Sequence, residues 1–270
     1  LFIIGLGYKV IIANHLAILW RDIQGIGFES ISTPLAWMGA FGYSAQLFFD
    51  FQGYSLMAIG IGEMLGFDLP KNFDHPYRSR TVSEFYRRWH ITLGRWFRDY
   101  LYIPLGGNRK GNAWTFFNLL IVWVVTGMWH GSTINFPLWG LILFVFIALE
   151  RFVIRNFLEK HGWLAHLYIW FVIPLTWVVF AITKLSDLKV YFARLFPFFG
   201  TGIAVNAGDY LKYGRTYGVF FLLAFVVSLP FMDKILKKCW KKWWMKAIVL
   251  WICIYQIANG LNNPFMYFSF

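Results

Sequence analysis

Charged residues are scarce in this chain of 270 residues: they make up 14% of it, while 59% is hydrophobic. A soluble domain of this length does not carry so much apolar side-chain surface. Several apolar runs reach the roughly 20 residues that a helix needs to cross a hydrocarbon core of about 30 Å. The composition therefore excludes a soluble globular domain and predicts an all-α, polytopic transmembrane helical bundle.

Cysteine and acidic residues are also few. The two cysteines, Cys239 in a Lys-rich turn and Cys253 in an apolar run, indicate neither a disulfide framework nor a metal site. The 13 Asp and Glu residues oppose 25 Lys and Arg residues, which gives a net charge of +12. In a membrane protein such an excess gathers in cytoplasmic loops or meets phosphates and anionic lipid, so it does not indicate a nucleic-acid partner.

Apolar stretches are predicted to cross the membrane seven times. They cover 1–20, 33–66, 113–131, 133–150, 163–182, 217–232 and 246–262. The glycine-rich stretch 33–66 is either one long kinked helix or two shorter helices. Because the chain begins inside an apolar stretch, we expect it to be the C-terminal portion of a longer protein.

The distribution of Lys and Arg predicts the orientation. Basic connections at 151–160 and 232–246, together with Arg109 and Lys110, fall on one side when the crossings are counted. The positive-inside rule makes that side cytoplasmic. The connection 183–216 then faces outward, although it is basic too.

The segment 68–111 differs from the rest because it is polar, aromatic and strongly basic. We expect one membrane-embedded domain over 1–270, in which this segment forms an interfacial or re-entrant element. Ser83 is predicted to cap a helix with Glu84 in its first turn.

Two seven-residue spacings within 81–102 suggest how that helix is arranged. Trp89 and Trp96 are separated by one such interval, and Arg88 and Arg95 by another. Residues seven apart return to the same face of a helix, so each pair is predicted to share a face.

A histidine, His130, closes the apolar run 116–129 and precedes Gly131. An imidazole at the edge of a lipid-spanning helix is costly unless it is partnered or useful. With a pKa of about 6.5, it could take a proton from a hydroxyl group, and Gly127 and Gly131 are expected to leave room for a substrate. Alternatively, His130 hydrogen-bonds a neighbouring helix or reaches the interface.

A second histidine, His90, lies among arginines. Their guanidinium groups match phosphate geometry and could hold the phosphates of an acyl donor, or else lipid head groups of the anionic leaflet. The arginines in question are Arg87, Arg88, Arg95 and Arg98.

Two further features have both a structural and a functional interpretation. The Pro-Leu-Gly-Gly-Asn sequence ending at Asn108 favours a structural turn over a phosphate-binding loop. Asp50, in an apolar stretch, needs a partner such as an arginine of 68–111 or a histidine. It would either orient a catalytic group or neutralise a buried cation.

Taken in order, several motifs resemble those of the membrane-bound O-acyltransferases, and within them the alginate O-acetyltransferase branch. They are Phe-Asp-Phe-Gln-Gly-Tyr-Ser at 49–55, Asn-Phe-Asp-His-Pro-Tyr at 72–77, Glu-Phe-Tyr-Arg-Arg-Trp-His at 84–90, Trp-Phe-Arg-Asp-Tyr at 96–100, Tyr-Ile-Pro-Leu-Gly-Gly-Asn at 102–108 and Gly-Met-Trp-His-Gly at 127–131. The ending at 263–270 resembles that branch too. The D-alanyl transferases of teichoic acid share the Trp-His elements but lack the Ile-Pro-Leu-Gly-Gly-Asn turn.

The resemblance implies transfer of an acyl group, typically acetyl, from a cytoplasmic thioester to hydroxyls of an extracytoplasmic polysaccharide such as alginate. The donor would be acetyl-CoA or an acyl carrier, with no bound cofactor or metal. Expected partners are membrane lipid, the polysaccharide and a secreted or periplasmic acetyltransferase, and the expected location is the bacterial plasma (inner) membrane.

The resemblance also assigns roles to residues. His130 maps onto the catalytic histidine and His90 onto the second important one, which would bind the donor or stabilise an oxyanion. Supporting roles fall to Asp50, Trp129, Gly131 and Asn108. His130 would act as a general base, or else carry the acyl group itself.

A function from another class fits some of the same residues. A polytopic transporter or flippase could use His90, His130 and Asp50 as a polar or proton pathway. Its sequence marker would be paired broken helices in repeated halves, and we see no internal repeat. A third possibility is an inactive fragment that needs a partner.

Overall fold

The structure is a computed structural model that describes residues 1–199 and 206–260. Throughout these residues the regular structure is helical, without strands. Four helices are long and apolar enough to span a membrane, which confirms the all-α polytopic class. In chain order the helices are α1 (Phe2–Ile26), α2 (Thr33–Met64), α3 (Val82–Arg88), α4 (Ile91–Phe97), α5 (Asn112–His130), α6 (Asn135–Lys160), α7 (Gly162–Ala181), α8 (Leu185–Leu195), α9 (Asp209–Ser228), α10 (Met232–Cys239) and α11 (Trp243–Ala258).

The chain divides into two compact units. The first unit comprises Leu1–Pro70 and Lys189–Phe270, and the second unit comprises Lys71–Leu188. The second unit contains residues 71–111 of the predicted interfacial segment 68–111, and the first three residues of the segment belong to the first unit. The single membrane-embedded domain over 1–270 stays a prediction.

In the first unit, α1 packs closely on α2. A Cβ at Gly53 would lie 2.7 Å from the carbonyl oxygen of Gly5, so only glycine permits this approach of the two backbones. The helix α2 is continuous over 32 residues from Thr33 and is capped by Ser32, whose hydroxyl accepts a hydrogen bond from the Leu35 N–H at 3.3 Å. The stretch 33–66 therefore forms one long helix rather than two.

The candidate spans α1, α5, α6 and α7 correspond to four of the seven predicted crossings. The other three predicted crossings fall on α2, α9 and α11, which are not among the candidate spans in the described residues. The helix α9 begins with polar residues, α2 contains polar residues and glycines, and α11 has only 16 residues. The ending at 263–270 lies outside the described residues.

The predicted connection at 151–160 is helical, which corrects that prediction. The helix α6 continues to Lys160 through a π-helical turn at Glu150–Ile154. An ion pair between Arg155 and Glu159, at 2.9 Å and four residues apart, stabilises this extension. The basic residues there lie on a helix rather than in a loop, and the orientation stays a prediction.

Asp50 is buried and forms an ion pair with Lys9 at 2.5 Å inside the first unit. The sequence required a partner for this carboxylate, and the structure supplies one from α1 rather than from the expected arginines or histidines. The sequence did not indicate Lys9 as this partner, because apolar residues surround it. Neutralising a buried cation is therefore the role that this contact supports.

Candidate active site

The segment carrying the first histidine is broken rather than continuous. The helix α3 ends at Arg88, Trp89 is extended, and His90 has left-handed backbone angles (φ 46°, ψ 56°) before α4 begins at Ile91. The prediction that the tryptophan pair and the arginine pair each share one helix face is therefore wrong. Trp89 is buried, whereas Trp96 is half-exposed on the far side of the break.

The start of α3 is held by one acidic side chain and a threonine. The Thr81 hydroxyl, not Ser83 as predicted, caps the helix by accepting the Glu84 N–H at 3.0 Å. The buried carboxylate of Glu150 on α6 accepts the N–H groups of Val82 and Ser83 and the Ser83 hydroxyl. This cross-helix cap by Glu150 left no signal in the sequence, because the two partners are more than 60 residues apart.

His90 is held from the opposite end of the segment by Asn72. The side-chain oxygen of Asn72 lies 3.3 Å from His90 Nδ1, and it accepts hydrogen bonds from the N–H and hydroxyl of Thr92 at 3.2 and 2.7 Å. The backbone carbonyl of Asn72 accepts the Ile91 N–H at 2.9 Å. Burial lowers the pKa of His90 to about 4, so the imidazole is neutral at pH 7.

His130, the last residue of α5, is enclosed by aromatic rings. The rings of Trp139 and Phe180 lie edge-on at 5.2 Å from its imidazole. Trp129 contacts both histidines, with ring centroids 5.0 Å from His130 and 6.4 Å from His90. The rings of the two histidines therefore contact the same tryptophan.

The glycines beside His130 serve helix packing, which corrects the expectation that they open space for a substrate. A Cβ at Gly127 would overlap the carbonyl oxygen of Phe136, and one at Gly131 would overlap the Phe136 ring. A Cβ at Gly140 on α6 would likewise overlap the backbone of Trp123 on α5. These glycines let α5 and α6 approach closely, and this contact brings Trp139 to His130.

A cavity of about 940 Å³ in the second unit is lined by both histidines. It extends along α6 from Trp139 to Glu159, roughly 30 Å of helix at 1.5 Å per residue. Since the start of α6 adjoins the end of α5, His130 lies towards one end of this cavity. We call it the histidine–arginine cavity, after its six arginines: Arg80, Arg87, Arg95, Arg98, Arg151 and Arg155.

Three of the four predicted phosphate-binding arginines line this cavity, namely Arg87, Arg95 and Arg98. Arg88 does not: its guanidinium pairs with Glu84 at 2.9 Å, one turn back on α3. Arg80, Arg151 and Arg155 were not singled out in the sequence. Arg151 and Arg155 reach the cavity because α6 continues through the stretch that was expected to be a loop, whereas Arg80 lies just before α3.

The six arginines of the cavity outnumber its carboxylates, which are Glu84, Glu150 and Glu159. Arg155 is paired with Glu159, and Arg98 with Asp99 at 2.7 Å. The excess of guanidinium groups makes a lining that attracts anions, above all phosphates. In residues 1–199 and 206–260, no cluster of His, Cys, Asp and Glu has an arrangement that would hold a metal ion.

The remaining predicted site residues lie elsewhere. Asn108 is exposed in a turn whose glycines, Gly106 and Gly107, have positive φ angles. Asn118 on α5, missed in the sequence, fastens this turn by donating to the carbonyls of Leu105 and Gly107 at 3.2 and 2.8 Å. A structural turn is thus confirmed.

Trp129 and Gly131 adjoin His130 but are not among the residues that line the cavity. Trp129 contacts the two histidine rings, and Gly131 packs against Phe136. Asp50 belongs to the first unit, where it pairs with Lys9.

Comparison with known proteins places this geometry in a family. The sequence model of the membrane-bound O-acyltransferase family matches residues 18–186, more than half of the chain and all of the residues that line the cavity. The chain belongs to this family. This agrees with the resemblance found in its motifs.

Individual relatives agree with the family match. The chain is 39% identical over 198 residues to the probable alginate O-acetylase AlgI of Pseudomonas fluorescens, which covers 73% of this chain and 40% of the relative. It is 40% identical over 198 residues to the peptidoglycan O-acetyltransferase of Helicobacter pylori, covering 70% and 37% respectively. With the teichoic acid D-alanyltransferase of Bacillus subtilis it shares 30% identity over 169 residues, covering 60% and 42%. The chain thus spans about two fifths of the length of these relatives.

Proposed function

We propose that this chain carries the active site of an O-acyltransferase that moves an acetyl group from a thioester donor to the hydroxyls of a polysaccharide. The observation that carries the proposal is the histidine–arginine cavity. It combines two imidazoles, which suit proton transfer, with an excess of arginines, which suit a phosphate-bearing donor. It also lies within the part of the chain that the family shares.

In the proposed reaction His130 is the general base. It removes the proton from a sugar hydroxyl while the oxygen attacks the thioester carbonyl carbon. The tetrahedral intermediate then expels the thiolate, which takes the proton from His130 and leaves as a thiol. Proton transfer of this kind contributes about 10²–10⁴-fold to the rate, and holding the two substrates in line adds to it.

The route through an acyl-histidine differs in one covalent step. The carbonyl carbon would pass first to a ring nitrogen of His130 and only then to the sugar oxygen. Brief reaction with labelled donor in the absence of polysaccharide distinguishes the routes. Label that stays on the protein and disappears from His130→Ala supports the acyl-histidine, and unlabelled protein supports the general base.

The phosphates of the donor would be held by Arg87, Arg95 and Arg98, together with the arginines of α6. Acetyl-CoA and an acyl carrier both present phosphate beside their thioester arm, so either suits this lining. The names of the relatives favour acetyl as the acyl group and a cell-envelope polysaccharide as the acceptor. We place the protein in the bacterial inner membrane, with the donor on the cytoplasmic side and a secreted or periplasmic acetyltransferase as a partner.

The proposal is tested with membranes that contain the protein, an isotope-labelled acetyl donor and the isolated polysaccharide of the producing cell. We expect label in ester linkage on the polysaccharide, released by mild alkali. Movement of solute across the same membranes is measured under an imposed pH gradient. Solute movement without any labelled ester would contradict the proposal and support the transporter.

A further inference from the structure

The contacts of Asn72 settle which ring nitrogen of His90 carries the proton. The side-chain oxygen of Asn72 lies 3.2 Å from the backbone N–H of Thr92. A backbone N–H can only donate, so the atom facing it is the amide oxygen and not the amide nitrogen. That same oxygen faces His90 Nδ1 at 3.3 Å.

Because a carbonyl oxygen only accepts, Nδ1 of His90 must be the donor in this contact. A neutral imidazole has one N–H, so Nε2 then holds a lone pair. A neutral His90 in this state cannot donate a hydrogen bond through Nε2 to an oxyanion. Of the two roles expected from the sequence, binding the donor and stabilising an oxyanion, the second requires the other tautomer.

The backbone around His90 is fixed by the same residue. The left-handed conformation of a non-glycine residue is uncommon and strained, and it persists where neighbouring contacts enforce it. Here the Asn72 carbonyl holds the Ile91 N–H, its side chain holds Thr92, and the Phe73 ring packs edge-on against Trp89 at 5.0 Å. Asn72 therefore anchors the break between α3 and α4 as well as the ring.

We propose that Asn72 is a positioning residue that holds His90 in the Nδ1–H tautomer, so that His90 offers a hydrogen-bond acceptor to a substrate N–H or O–H in the histidine–arginine cavity. His130 remains the group that takes the hydroxyl proton. The test by acetyl transfer rests on the proposed function, whereas the tautomer of His90 is measured without any reaction. Burial, which keeps the pKa of His90 low, agrees with a neutral ring.

Other charged groups around His90 bear on any titration of its ring. Those lining the same cavity lie on or beside α3, α4, α5 and α6, and those on the Asn72 segment are adjacent in the chain. They are Arg80, Glu84, Arg87, Arg95, Arg98, His130, Glu150, Arg151, Arg155, Glu159, Lys71 and Asp74. All of them stay unchanged in the variants below, so a shift reports the change at Asn72.

The first test is nitrogen NMR of the detergent-solubilised protein with ¹⁵N-labelled histidine, with His90→Gln to assign the His90 signals. We expect a protonated Nδ1 and an unprotonated Nε2 at pH 7. A protonated Nε2 would overturn the inference whether or not the protein transfers acetyl groups.

The second test uses Asn72→Asp, which keeps the shape and the acceptor oxygens but adds a negative charge next to Nδ1–H. The charge stabilises the imidazolium, so the pH at which His90 titrates should rise by about 1–2 units. Protonated His90 loses its lone pair. The pH below which acetyl transfer is lost should therefore rise by a similar amount. Thr92→Val, which removes another hydrogen bond from the same oxygen, should leave both titrations in place.

Two outcomes of the second test would overturn the inference. If His90 acts as an N–H donor to an oxyanion, Asn72→Asp will sustain or increase transfer as the pH falls, because the imidazolium donates from both nitrogens. An unmoved His90 titration, equal to that of Thr92→Val, also overturns the role of Asn72. Wild-type protein without acetyl transfer but with the expected tautomer would instead contradict the proposed function alone.

Discussion

At the scale of single residues, adjacent side chains of α3 have different surroundings. Arg87 lines the histidine–arginine cavity, whereas Arg88 pairs with Glu84 along the helix. Sequence reasoning treated the two arginines alike, because both lie beside His90. The difference arises from the helix itself, since successive residues point about 100° apart.

This difference predicts unequal effects of the same substitution. Arg87→Gln removes a guanidinium from the cavity and should raise KM for the donor about 10-fold or more, since a charge-assisted hydrogen bond contributes roughly 1.5–3 kcal/mol. Arg88→Gln removes a helix-surface ion pair worth about 0.5 kcal/mol and should leave KM nearly unchanged. Initial rates at varied donor concentration measure both. Equal KM values for the two variants would contradict the assignment of the cavity to the donor.

At the scale of elements, the site depends on how α3, α5 and α6 are joined. Glu150 connects α6 to the first N–H groups of α3, which would otherwise lack partners at the start of a helix. Glycines allow α5 and α6 to touch backbone to backbone. Both connections set where the histidines lie.

The Glu150 connection predicts a loss of stability and of activity together. Glu150→Ala leaves buried N–H groups of α3 unsatisfied and should lower the free energy of unfolding by about 1–3 kcal/mol. Acetyl transfer should fall as well, because α3 leads directly to His90. The control is Glu159→Ala, which breaks an exposed pair with Arg155 worth about 0–1 kcal/mol. Thermal unfolding in detergent measures both, and equal midpoints would contradict the capping role.

The close approach of α5 and α6 predicts that Gly127 does not tolerate a methyl group. Gly127→Ala would overlap the carbonyl oxygen of Phe136 and should destabilise the protein by roughly 1–3 kcal/mol. Gly218→Ala on α9 meets no atom within 4 Å and should be neutral or slightly stabilising, since alanine favours helix. Thermal unfolding compares the two. A Gly127→Ala protein as stable as the wild type would contradict the packing role of this glycine.

At the scale of the whole molecule, the sequence was sufficient for the fold class and for the family, while the roles of the two histidines stay predictions. Apolar runs located the four candidate spans because lipid demands long uncharged helices. The ordered motifs pointed to the family, which the match over 18–186 confirms.

Contacts between distant parts of the chain could not be predicted in the same way. The partner of Asp50, the cap supplied by Glu150 and the arginines of α6 all depend on tertiary packing. Likewise, the break at His90 contacts Asn72, 18 residues away, and no helix-breaking residue adjoins it in the sequence.

The central claim is that the histidine–arginine cavity is the site of acyl transfer, with His130 as its base. It is tested most directly by labelled acetyl transfer in membranes carrying His130→Ala, compared with His161→Ala at equal protein levels. His161 is exposed, bonded to the Phe157 carbonyl and outside the cavity lining, so its loss controls for removing an imidazole. We predict that His130→Ala lowers transfer by at least about 10²-fold while His161→Ala keeps it. Unchanged polysaccharide acetylation in His130→Ala would contradict the account.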